Sequence, residues 1–166
     1  MMKYYIGLNK KYKIKTTIII MSSEKLITMI PLSYELTMKL LEDLSNYIED
    51  LMKSNHGILY FSLDDIEYKN EKFVFISKNK KVKTTNGMFE IYKPFVKNKK
   101  NDFIPPDLEG INYLPTKAPY NISIQSLGML LGFCILGKRG DLKQIEGTKL
   151  YYTILRCIND GKILYV

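Results

Sequence analysis

The chain has 166 residues, 46% of them hydrophobic and 25% charged, which is enough to bury one core and excludes disorder over most of its length. Its formal net charge is +8, yet among the 25 basic residues only Arg139 and Arg156 are arginines, so the fork that reads phosphate and guanine is nearly missing. The apolar run at Thr17-Ile18-Ile19-Ile20-Met21 is too short for a secretory signal or a membrane helix, and a soluble protein is expected.

A basic segment, residues 1–15, opens the chain. Residues 14–21 alternate weakly and then run β-branched, which predicts a strand ended by Ser22-Ser23-Glu24. From Leu32 to Met52 the apolar positions Leu36, Leu40, Leu41, Leu44, Ile48 and Leu51 recur every three or four residues. That spacing predicts a helix with Ser33 as its N-cap and Asn55-His56-Gly57 as its stop. Ile66-Glu67-Tyr68 and Phe73-Val74-Phe75-Ile76 flank Lys69-Asn70-Glu71-Lys72 and predict a hairpin. Residues 77–102 are rich in lysine and asparagine and read as a solvated loop with one weak strand near Phe89 to Phe95.

Pro105-Pro106, Pro115 and Pro119 predict an irregular stretch. Ile122 to Leu136 is nearly all apolar, the length of a buried core helix, and Gly137 closes it. A last helix is expected over Leu150 to Ile158. Cys134 and Cys157 lie among apolar neighbours and read as buried thiols of a reducing compartment. His56 is the lone histidine and no Cys-x-x-Cys occurs, which argues against a zinc site.

Four strings, in order, resemble the C-terminal lobe of a protein kinase. Ser54-Asn55-His56-Gly57-Ile58-Leu59 resembles the end of the helix that leads into the catalytic loop. The hairpin after it stands where kinases carry their metal-binding strands. Phe103-Ile104-Pro105-Pro106-Asp107-Leu108 resembles the Ala-Pro-Glu motif, and Ile124-Gln125-Ser126-Leu127-Gly128 resembles the start of the buried central helix. The resemblance implies a mainly α (α+β) fold: a kinase C-lobe of helices with a short β-hairpin. It spans residues 16–166 as one domain, in which 16–24 is the remnant of the last small-lobe strand and hinge.

The resemblance also implies that the chemistry is lost. The strand lysine, the helix glutamate and the glycine-rich loop of the small lobe have no counterpart. Tyr60-Phe61-Ser62 stands at the place of His-Arg-Asp, so Ser62 occupies the catalytic-base position without a carboxylate. Asp65 falls at the metal-binding asparagine if the loop is gapped, and Glu67 if it is not. Ser77 holds the place of the second metal ligand, the aspartate of Asp-Phe-Gly. Ser123 replaces the central-helix aspartate that pins the catalytic loop, and Asp107 is expected to pair with Lys162, or with Arg156 in another register.

The function implied is a catalytically inactive, pseudokinase-like domain that binds another protein, such as a kinase or a kinase substrate, through apolar residues including Ile18, Ile20, Leu59 and Ile76. No cofactor is expected; ATP and magnesium enter only under the alternative of a residual serine/threonine kinase. A further alternative is a basic nucleic-acid-associated protein using Lys97, Lys99 and Lys100, although the paucity of arginine argues against it. The single alanine, Ala118, amid abundant Lys, Ile, Asn and Tyr resembles the style of large DNA viruses with AT-rich genomes, implying host cytoplasm or a virion as its location.

Overall fold

The computed structural model describes residues 23–95 and 101–163. The strand expected over residues 14–21, with Ile18 and Ile20, lies outside them. The chain enters through β1 (Glu24–Lys25) and α1 (Leu26–Met29), one turn that buries Leu26. The periodic segment then forms α2 (Tyr34–Lys53). Its Ser33 hydroxyl accepts the Leu36 amide at 3.2 Å, satisfying one of the orphan donors at the helix start. The stripe Leu40, Leu41, Leu44, Ile48 and Leu51 faces inward, each fully buried leucine contributing about 1.5–3 kcal/mol.

Asn55, at φ +54, turns the chain into β2 (His56–Ile58). Then come β3 (Phe61–Ser62), a 3₁₀ turn over Leu63–Asp65, β4 (Ile66–Lys69) and β5 (Lys72–Phe75). The expected hairpin forms between the last two, and Asn70 and Glu71 both hold positive φ, as a tight two-residue turn demands.

Residues 77–102 hold the weak strand expected near Phe89, and more order around it than the solvated loop predicted. After a 3₁₀ turn over Lys78–Lys80 they form β6 (Lys81–Thr85) and β7 (Met88–Ile91) around Asn86-Gly87, and then β8 (Asp102–Phe103). Lysine content concealed a period-two pattern: Lys81 and Lys83 face solvent while Thr84, Phe89 and Ile91 point into the core. The proline-punctuated stretch is also more regular than expected. It holds α3 (Pro106–Glu109) and β9 (Thr116–Pro119), with Ala118 buried and Pro119 at the strand end, where a missing amide is tolerated.

The sheets are antiparallel throughout, in the orders β1-β4-β5, β2-β6-β7-β9 and β3-β8. At 49% helix and 22% strand the class is α+β, with several sheets where a single short hairpin was expected. The core helix α4 (Asn121–Leu136) runs through the middle and is capped by Gly137 in the left-handed region. It packs on α2 and on α5 (Lys149–Asp160), whose Thr148 hydroxyl accepts the Tyr151 amide. No described helix is long and apolar enough to cross a membrane.

Candidate functional site

The site is strapped together by two serines one turn apart on α4. In so apolar a helix each buried hydroxyl needs a partner. The Ser123 hydroxyl donates to the Ile58 carbonyl at 2.5 Å. The Ser126 hydroxyl accepts the Phe61 amide at 2.7 Å and donates to the Phe103 carbonyl at 2.6 Å. Both side chains are wholly buried, so β2, β3 and β8 are held against one helix face. Across the β3–β8 pair Ser62 stands opposite Asp102, and both are buried.

Beside that pair lies a charge cluster. Lys80, ending its 3₁₀ turn, places Nζ 2.5 Å from Asp65 Oδ2 and 3.9 Å from Asp102 Oδ1. The same ammonium stands 4.4 Å from the centre of the Tyr60 ring, a cation–π contact. Asp65 is held in place by its own carbonyl, which accepts the Ile76 amide at 2.8 Å. Asp102 is held by Arg139, whose Nη2 donates to the Asp102 carbonyl at 2.6 Å while the guanidinium lies over the Phe103 ring. A cavity of about 560 Å³ borders the cluster at Tyr60 and Asp102, with Leu59, Val82, Glu90 and Tyr92 also in its lining.

These residues do not fit a divalent cation. Asp65 is engaged by an ammonium, and Ser77, which follows Ile76 at the same end of the hairpin, offers only a neutral hydroxyl. No group of three His, Cys, Asp or Glu side chains able to hold a metal occurs among the described residues. Magnesium would have to displace Lys80 to reach Asp65, so no chemical step is routed through a metal here.

Ser62, Asp65 and Ser77 are thus brought to one region, while Asp107 and Lys162 are not brought together. Asp107 is exposed on the first turn of α3, Lys162 and Arg156 are exposed elsewhere, and no ion pair joins them. The implied buried pair is absent because none of the three side chains enters the core. His56 bonds through Nδ1 to the neighbouring Ser54 carbonyl, a local turn contact. Leu59 is half-buried in the cavity wall and Ile76 is exposed. Lys97, Lys99 and Lys100 lie outside the described residues.

Three residues of the site escaped sequence reasoning. Lys80 is one lysine among many, and Asp102 is a lone acid at the end of a lysine run; neither carries a local signal. Ser126 did carry one, a hydroxyl inside an apolar helix. No family model, curated protein or solved structure matches the chain.

Proposed function

We propose that the chain is a non-catalytic, protein-kinase-like lobe that works by binding another protein. The observation that carries the reading is the ammonium of Lys80 on Asp65. Under the resemblance, that carboxylate stands at a metal-ligand position, and here its charge is answered from within the chain. Ser62, at the catalytic-base position, is 2% exposed and has no carboxylate to accept a proton.

The binding surface in this reading is the outer face of β5 and its continuation, where Val74 and Ile76 are 44% and 43% exposed two residues apart on one side of the strand. Ser123, bonded to the Ile58 carbonyl, supports the scaffold part of the reading: it ties the central helix to the segment before the loop, as the aspartate it replaces is expected to do.

Thermal unfolding with and without excess magnesium-ATP tests the non-catalytic part; no shift is expected, and a shift abolished by Asp65→Asn overturns it. Phosphoryl transfer to a generic peptide is expected to be absent. Size-exclusion and crosslinking of the chain with candidate partners tests the binding part. Complexes should be lost when Val74→Glu and Ile76→Lys are combined, with the unfolding temperature retained. Complexes that ignore both substitutions place the interface elsewhere.

A further inference from the structure

The outer face of the β2-β6-β7-β9 sheet collects lysines. Thr84, Phe89, Ile91 and Ala118 fill the inner face, so the period of two turns Lys83, Glu90 and Lys117 outward. Glu90 stands directly opposite Lys117, and the β6–β7 register sets Lys83 on its other side. Lys81 lies two residues back along β6, and Lys93 lies just past β7. All four lysines are exposed. The face closes toward β2, where Ile58 is buried and Lys81 lies over the Tyr47 ring at 5.4 Å.

Within the four strands, the Asn86-Gly87 turn and residues 92–95, those four lysines face one carboxylate, Glu90, whose Oε2 already accepts the Tyr92 hydroxyl. The charges of the neighbouring elements balance one another. Asp50 pairs with Lys53 at the end of α2, and beyond Tyr60 the carboxylates of Asp65 and Asp102 lie beside the cations of Lys80 and Arg139. The sheet face therefore keeps a positive excess, which suits a polyanion.

Exposed rings stand at the edge of this field. Tyr113 and Tyr92, at 74% and 66%, are the barest large apolar side chains described. Tyr92 follows Ile91, the last residue of β7, and Tyr113 comes three residues before Thr116, the first of β9. Ile91 and Thr116 are paired, so both tyrosines leave the sheet at the same end. One bare ring is an ordinary surface feature. Two together beside a lysine field resemble a stacking platform next to a track for phosphates. Lysine meets phosphate as a point charge and a ring stacks on any base, so neither asks for a sequence. Scarcity of arginine removes bidentate reading of guanine edges but leaves backbone contact intact. An acidic protein surface would engage the lysines and leave the rings idle.

We infer that this face binds single-stranded nucleic acid without regard to sequence, with Lys81, Lys83 and Lys117 on the phosphates and Tyr92 and Tyr113 stacked on bases. The inference goes beyond the protein-binding reading, which uses the other sheet through Val74 and Ile76, and either can fail alone.

The test titrates the full chain into labelled oligothymidylate and oligouridylate of about 12 nucleotides, read by anisotropy. Binding of either supports the inference, and the tighter of the two names the preferred sugar. Each phosphate contact contributes a log–log salt slope of about −0.7, so three lysines predict about −2, a loss of roughly twentyfold between about 50 and 200 mM salt. Lys83→Glu combined with Lys117→Glu should weaken binding at least about tenfold. Tyr92→Ala should weaken it about fivefold or more, while leaving any binding of polyglutamate, a polyanion without bases, unchanged. The substituted side chains are exposed, so the unfolding temperature should hold. No binding of either oligonucleotide at the lower salt would overturn the inference. So would polyglutamate or duplex DNA binding as tightly as the single strand, or an affinity that ignores the substitutions. Should the variants fail to fold, photocrosslinking of a thiouridine oligonucleotide to the wild-type chain decides. Adducts are expected within residues 81–93 or 113–117, and adducts confined to other segments reject the site.

Discussion

The Ser126 hydroxyl accepts the Phe61 amide at 2.7 Å, and with the same oxygen donates to the Phe103 carbonyl at 2.6 Å. One side chain therefore satisfies a buried donor and a buried acceptor on two different strands. Ser126→Ala keeps the volume nearly constant but leaves both backbone groups unpaired. The expected loss is about 2–4 kcal/mol, the sum of two modest desolvation penalties. Urea unfolding measures it. A loss below about 0.5 kcal/mol would mean that water replaces the hydroxyl and that the strap is weaker than its geometry.

How much of this was legible in the sequence depended on whether a residue's role is set locally. The helix over Tyr34–Lys53 was, because its apolar stripe, Ser33 cap and Asn55 stop all lie within the segment. The hairpin at Asn70-Glu71 was legible from alternating apolar runs around polar residues. Strands β6 and β9 were not: lysines on the outer face of one and a proline at the end of the other masked the inward residues. The candidate site was half legible. Ser62, Asp65 and Ser77 were singled out only through the resemblance, and Lys80 meets Asp65 and Asp102 only through tertiary packing. The ion pair expected of Asp107 is not formed for a related reason, since a pair between distant residues depends on burial that no local pattern encodes.

Lys80 stands within ion-pair distance of both Asp65 and Asp102. Lys80→Met retains the stem against the Tyr60 ring and removes the charge, leaving two carboxylates side by side. Because Lys80 and Asp65 keep 26% and 13% side-chain exposure, the loss falls below that of a fully buried pair, at about 2 kcal/mol. Adding Asp65→Asn should return part of it. A double-mutant cycle is expected to give a coupling of about 1 kcal/mol or more, and strictly additive effects would show that the pair is inert.

Stability should fall in alkali. Burial raises the Cys157 thiol from 9.0 to about 11, raises Cys134 further in the same direction, and raises the Tyr120 hydroxyl from 10.0 to about 12. Each group is neutral in both states below its unfolded value, so its contribution is intact there. Above that value the unfolded chain loses the proton and the folded chain keeps it, so unfolding is favoured until the folded value is passed. Between pH 9.0 and about 11, Cys157 alone should lower the unfolding free energy by about 1.4 kcal/mol per pH unit. Comparing the pH profile of the wild type with that of Cys157→Ala isolates this share from the general discharge of lysines. Parallel profiles would contradict it. By the same burial, neither thiol should react with an aromatic disulfide reagent at neutral pH until the chain unfolds.

Two glycines on α4 should respond to alanine with opposite signs. At Gly128 an added Cβ would lie 2.6 Å from Cys157 Cβ, 3.0 Å from Ile158 Cγ1 and 3.1 Å from the Ile158 backbone nitrogen. Two of these atoms belong to, or are fixed on, the α5 backbone, so no rotamer change relieves the clash and the helices must separate. Overpacking of that kind costs about 1–3 kcal/mol, more than the roughly 1 kcal/mol that alanine gains over glycine in a helix interior. At Gly132 the nearest atom is Leu142 Cδ2 at 3.3 Å, the tip of a flexible side chain on a half-exposed turn. There the helix term should win. Gly128→Ala is therefore expected to lower the unfolding temperature by several degrees and Gly132→Ala to leave it unchanged or raise it, since 1 kcal/mol corresponds to about 2–4 °C for a chain of this size. If both substitutions stabilise, α4 and α5 are not in the close contact that Gly128 permits, and the seating of the last helix against the core must be redrawn.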